Sequence, residues 1–167
     1  MAPDHVARII EQWAHERPDL DVSPMGLIGR LHRLAPALDA ELRPVFAAAG
    51  LSDGDFDVLA ALRRAGEPYE LSPGRLGATT MVTSGAVTKR LDRLEAAGLV
   101  ARRVDPQDAR GRLARLTATG LETVDRLVER HVANEHRLVA GLDPGQRRAL
   151  AALLEAWGRA LADPPVT

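Results

Sequence analysis

The chain has 167 residues, enough for one ordinary domain, and its 46% hydrophobic content with only 3% aromatics implies a core of Leu, Val and Ala. It has no cysteine, which excludes disulfides, thiolate metal sites and cysteine redox chemistry. Net charge is −1, yet residues 86–117 hold eight basic and four acidic side chains, so a segment of +4 sits within a body of −5.

The N-terminal stretch MAPDHVARIIEQW is charged throughout and lacks the apolar run of a signal peptide. No apolar stretch approaches the ~20 residues that cross a bilayer. A soluble, cytoplasmic protein without a membrane partner is expected. Val6, Ile9, Ile10 and Trp13 have the i, i+3, i+4, i+7 spacing of an amphipathic helix, ended by Pro18. A second helix starts after Ser23 with Pro24 in its first turn and runs to about Ala49, where Gly50 stops it. Pro36 and Pro44 lie inside it and predict bends or a break.

Ser52 and Asp55 form a Ser-x-x-Asp capping pattern ahead of Phe56, Leu59, Ala60 and Leu62, and Gly66 closes that helix. A short helix follows, capped by Ser72 with Pro73 next. Another begins with Thr83 or Ser84 as cap and ends at Gly98. Two strands are expected, Leu99 to Val104 and Arg112 to Leu116, joined by a turn rich in Asp105, Pro106 and Asp108. A long helix carrying Leu121, Val124, Leu127, Val128, Val132 and Leu138, and a last one capped by Asp143 with Pro144 next, complete the chain.

Two helices joined by a short turn and followed by a β-hairpin make a winged helix-turn-helix. The fold class read here is mainly α with a small β-wing, flanked by N- and C-terminal dimerisation helices. Residues 1–50 hold the N-terminal helices, 51–117 the winged helix-turn-helix, and 118–167 the C-terminal dimerisation helices. At about 100° per residue, Val87, Leu91 and Leu94 cluster on one face of the second helix, Gly85, Lys89 and Asp92 lie opposite, and Thr88 and Arg93 flank them. A docked apolar side with a small, polar, basic outer face suits the major groove. The free N–H groups near Thr83, Ser84 and Gly85 suit a phosphate.

The turn would project Arg110 at its tip, braced by Asp108, into a narrow minor groove. Arg103, Arg112 and Arg115 are positioned for phosphates. The partner implied is double-stranded DNA.

The stretch GLSDGDFDVLAAL through the wing resembles the core of the MarR family of bacterial transcriptional regulators. Its most specific part is the wing pattern Asp-x-Arg followed by Leu-Thr, here Asp108, Arg110, Leu116 and Thr117. The resemblance implies a homodimer on a pseudo-palindromic operator, with half-sites about one helical turn, ~10 bp, apart. An additional N-terminal helix with a Trp resembles the urate-responsive branch of the family. The four signature positions of that branch are matched by Trp13, Asp57, Arg90 and Arg102.

Arg90 lies about 60° from the centre of the apolar face, which aims it toward an internal cleft rather than the groove. Two arginines beside an Asp and an indole suit a flat, anionic, hydrogen-bonding ligand. As the resemblance implies, that ligand is urate, and it releases the protein from DNA by pulling on Arg90. A similar pocket would take xanthine or a phenolic acid.

Read residue by residue, Trp13 also fits a packed core position, Arg102 a phosphate contact and Asp57 a surface helix position. A regulator of efflux or stress genes answering phenolic or antibiotic-like ligands, with a structural Trp13, is the alternative within the class. A winged-helix protein-interaction module is the alternative outside it, and the basic segment argues against that module. His131 and His136 are five residues apart and do not share a helix face, so no metal is expected. No Ser-His-Asp set, phosphate-binding glycine loop or paired carboxylates appear; neither an enzyme nor a cofactor is expected.

Overall fold

The computed structural model describes residues 2–80, 84–106 and 108–162; at 84–86 and 108–110 it describes the backbone only. Helix α1 (His5–Glu16) is capped by Asp4, whose carboxylate accepts the Ala7 amide at 2.7 Å. Asp4 also accepts the Arg30 guanidinium, tying α1 to α2 (Ser23–Ala47). Of the bends or break expected at Pro36 and Pro44, the break does not occur: α2 is one helix with both prolines inside it. Both prolines are exposed, as are His32 and Ala40, whose carbonyls lose their usual partners, so water can satisfy them.

The core is built by α3 (Asp53–Arg64), the short α4 (Pro73–Thr79), α5 (Ser84–Ala96), a three-stranded sheet and the first half of α6 (Ala118–Leu138). Ser52 and Asp55 close a full capping box on α3, and Ser72 caps α4. Gly50, Gly66 and Gly98 end their helices with positive φ, the conformation that favours glycine. The apolar stripe read from the sequence is buried: Phe56, Leu59 and Leu62 of α3 meet Val87, Leu91 and Leu94 of α5 and Val124 and Leu127 of α6. Gly120 lets α6 approach the sheet, since a Cβ there would lie 1.9 Å from the Leu99 carbonyl oxygen.

The sheet differs from the expectation in two ways. A short strand, β1 (Glu70–Leu71), pairs antiparallel with β3 (Asp108–Leu116), which also pairs with β2 (Val100–Asp105). Two residues carry no readable alternation, so β1 left no signal. The hairpin is also longer than expected. Pairing reaches Asp105 opposite Asp108, with a register shift after Val104↔Arg112. Arg110 therefore lies in β3, within the shifted stretch, and not at the tip of the turn. Backbone pairing needs no apolar side chains, so this polar stretch extends a strand that patterning ends early.

Helix α7 (Pro144–Ala162) begins with Asp143 and Gln146 capping each other's amides. It buries none of its residues. No helix among the described residues is long and apolar enough to cross a membrane.

Candidate nucleic-acid interface and ligand residues

Helix α5 presents the two faces its sequence predicts. Val87, Leu91 and Leu94 are buried, while Thr88, Lys89, Asp92 and Arg93 face outward. The helix starts at Ser84; the side chains of Ser84 and Gly85, and all of Thr83, lie outside the described residues. Lys89 and Arg112 are exposed and make no ion pair among the described residues, so both charges are available to a phosphate. The side chains of Asp108 and Arg110 also lie outside the described residues, and with them the expected brace.

Two arginines expected at the DNA interface, Arg93 on the outer face of α5 and Arg103 on phosphates, are held by carboxylates instead. Arg93 donates to Asp55 Oδ1 at 2.6 Å and to Ser52 Oγ at 3.3 Å. Arg103 donates twice to Glu70, at 2.9 and 2.5 Å. Sequence reading missed both acceptors. Asp55 shows there only as a cap, and Glu70 becomes meaningful only once β1 joins the sheet.

Arg90 turns inward, as its place on the helix predicts, but it meets the start of α3 and not an open cleft. Its Nη1 donates to Ser52 Oγ at 3.2 Å and lies 3.9 Å from Asp55 Oδ1. The guanidinium rests on Gly54, where a Cβ would come within 2.1 Å of its carbon. Its Nε is buried with no hydrogen-bond partner among the described residues.

Asp55 is 1% exposed. Burial alone would raise its pKa, but the Ser52 hydroxyl and amide and the Arg93 guanidinium outweigh that and leave the carboxyl below its ordinary value.

Arg102 pairs with Asp92 at 2.7 Å and Glu95 at 3.5 Å, and donates to the Thr88 carbonyl at 3.3 Å. With Pro73, Thr88, Leu91 and Arg112 it lines a cleft of about 180 Å³ between α5 and the sheet. That cleft contains none of the other three signature residues. Trp13 is 43% exposed on α1, which packs on α2. Asp57 is partly buried on α3. Within one chain, then, the polar bonds of Arg90 go to α3, those of Arg102 go to α5, and Trp13 stands on a separate helix pair.

Phe46 and Phe56 stack on each other at 4.3 Å, and His131 lies tilted against both, at centroid distances of 5.3 and 5.1 Å, as a packed histidine. No group of three metal-ligating side chains occurs among the described residues.

The chain is 42% identical over 149 residues to the HTH-type transcriptional regulator PecS of Dickeya dadantii (strain 3937), covering 89% of this chain and 90% of PecS. It belongs to the MarR family. The sequence profile described as MarR family matches residues 49–111, the span from the end of α2 into the wing. This chain is therefore a DNA-binding transcriptional regulator of the MarR and PecS type, a family of regulators and not of enzymes.

Solved MarR-family folds superpose on most of it. A mutant of MarR from E. coli complexed with operator DNA is 28% identical, with a TM-score of 0.67 over 81% of this chain and 94% of that one. BpsR of Bordetella bronchiseptica, whose DNA binding is regulated by 6-hydroxynicotinic acid, is 29% identical, with a TM-score of 0.69 over 83% of this chain and 94% of that one. In this MarR-family chain α5 is the recognition helix, and β2 and β3 form the wing.

Proposed function

We propose that this regulator is a cytoplasmic homodimeric repressor that leaves a pseudo-palindromic operator when urate or a related anionic aromatic metabolite binds. The observation that carries the dimer is α7. It buries no residue in a single chain and exposes Leu150, Leu153, Leu154 and Leu161. Ile9 and Trp13 of α1 and Met25, Ile28 and Leu34 of α2 are exposed as well. Apolar faces of this extent at both ends of a chain call for a second copy. The division into N-terminal helices (1–50), winged helix-turn-helix (51–117) and C-terminal dimerisation helices (118–167) is part of this reading.

On DNA, Thr83 together with Ser84 and Gly85, the first residues of α5, meets a phosphate, Thr88 and Lys89 enter the major groove, and Arg112 contacts the backbone. Arg110 with Asp108 addresses the minor groove from the register shift of β3 rather than from the tip. For the ligand, Trp13, Asp57, Arg90 and Arg102 are the proposed contacts. Arg90 supports this best, because its buried Nε, without a partner among the described residues, has hydrogen-bonding capacity that an anion would satisfy. The response of BpsR to 6-hydroxynicotinic acid supports the ligand class.

One observation favours a second reading. Trp13 lies on α1 while Arg102 and Arg112 share a cleft without it, which suits a smaller phenolic anion and a structural Trp13. A gel-shift titration on the DNA upstream of the protein's own gene separates the two. Urate dissolving a discrete complex, with the response blunted in Arg90→Ala and Trp13→Phe, supports the first. Release by a hydroxybenzoate alone, unaffected by Trp13→Phe, supports the second. A complex that neither compound dissolves sinks both.

A further inference from the structure

The start of α3 is an unusual place for two cations. A helix N-terminus carries a partial positive charge, so guanidinium groups placed there are repelled unless a carboxylate intervenes. Here Arg90 and Arg93 of the recognition helix both converge on it. Ser52 Oγ accepts from both, at 3.2 and 3.3 Å, and Asp55 Oδ1 accepts from Arg93 at 2.6 Å. Asp55 Oδ2 meanwhile accepts the Ser52 amide and hydroxyl at 2.9 and 2.6 Å. One buried carboxylate therefore does two things: it completes the cap of α3 and it neutralises the arginines of α5. Gly54, between the two capping residues, leaves the space that the Arg90 guanidinium fills.

We propose that Ser52, Gly54 and Asp55 form a seat that positions the recognition helix, so that operator discrimination depends on a carboxylate and a glycine that touch no DNA. Arg90 and Arg93 are one turn apart on α5, so gripping both fixes the rotation of the helix about its axis as well as its distance from α3. Rotation decides whether Thr88 and Lys89 meet base edges. Binding of phosphates, which needs only charge near the duplex, is far less sensitive to it. Loss of the seat should therefore reduce discrimination more than overall attachment. This inference uses α5 as the groove-facing helix and does not depend on the identity of the ligand.

The test uses Gly54→Ala, Arg93→Gln and Asp55→Asn in the full chain. Binding is measured by fluorescence anisotropy on the upstream DNA and on a shuffled duplex of equal composition, across a KCl series, with Tm alongside. Gly54→Ala removes no charge and suits a helix, so its Tm should equal or exceed the parent's. It should lose roughly tenfold in affinity for the upstream DNA, the scale of a charge-assisted hydrogen bond, with the shuffled duplex unchanged. Arg93→Gln should show the same pattern with an unaltered salt slope.

A Gly54→Ala protein that binds the upstream DNA like the parent overturns the proposal. So does an Arg93→Gln protein weakened equally on both duplexes with a slope reduced by about one, which would make Arg93 a phosphate contact. A thermal double-mutant cycle of Asp55→Asn and Arg93→Gln reads the seat without DNA. Additive Tm shifts would overturn it whatever the DNA results, and non-additive shifts would support it.

Discussion

The guanidinium of Arg103 on β2 reaches the carboxylate of Glu70 on β1, two strands away, through two hydrogen bonds. The pair spans the sheet that carries the wing, with Arg115 of β3 directly opposite Glu70 in the register. The Glu70 side chain is 13% exposed, and the hydrogen bond from Arg103 holds its carboxyl below the ordinary glutamate range. A cation well placed for DNA is thereby kept off the phosphates. Glu70→Gln should release it. Binding to shuffled DNA should tighten and its salt slope should steepen by about one. Stability should change little, because the arginine is 44% exposed and pairs screened by solvent on one side contribute about 1 kcal/mol or less. An unchanged salt slope would mean that Arg103 cannot reach the backbone.

Lys89 and Arg112 are exposed cations of the interface with no ion pair among the described residues. Lys89→Ala should weaken operator binding by about 1–3 kcal/mol if it reads a base edge, and shuffled DNA much less. Arg112→Ala should weaken both duplexes alike. Arg110→Ala should weaken DNA binding without changing ligand affinity. Equal loss of both in Arg110→Ala would remove the wing from the DNA interface.

Acid should unlock the arginine seat and the wing pair together. Asp55 and Glu70 both have lowered folded-state pKa values. Such groups bind protons less readily folded than unfolded. Their stabilisation is present above the ordinary carboxylate range, ~4, and is lost as pH falls through the folded values. Tm should hold between roughly pH 7 and 5 and drop below about 4. Asp55→Asn should start lower at neutral pH and lose less on acidification, so the two melting curves converge. Parallel curves by circular dichroism would exclude Asp55 as a contributor.

Gly120 should not tolerate a methyl group. The backbone carbonyl of Leu99 occupies the space, and backbone cannot swing aside as a side chain can. Gly120→Ala should cost about 2 kcal/mol or more, lowering Tm by roughly 5 °C or more in a chain of this size. A melt matching the parent's would show that α6 shifts freely on the sheet.

Leu153 and Leu161 are each 69% exposed on α7. Leu153→Asp should turn a dimer into a monomer in sedimentation equilibrium. Operator affinity should fall by far more than any wing variant produces, because two half-sites are no longer bound together. A dimer unaffected by Leu153→Asp would move the interface off this face of α7.

The sequence by itself determined the element order, the buried stripe of α5, the caps at Ser52 and Ser72, and the glycine stops. All of these rest on local physics: helical periodicity, the demand of free amides for an acceptor, and the ease with which glycine takes positive φ. The family was legible for the same reason, since its wing pattern is a run of neighbouring residues. Only the tertiary structure decided which charges are free. Arg93 and Arg112 look alike in the sequence, yet one is held by Asp55, 38 residues away, and the other has no ion-pair partner among the described residues. Proline likewise predicts bends or a break from local geometry, but packing on α1 and α6 and water-accessible carbonyls carry α2 unbroken through Pro36 and Pro44. A charge's partner is set by how helices and strands dock, and docking depends on contacts between residues far apart in the chain.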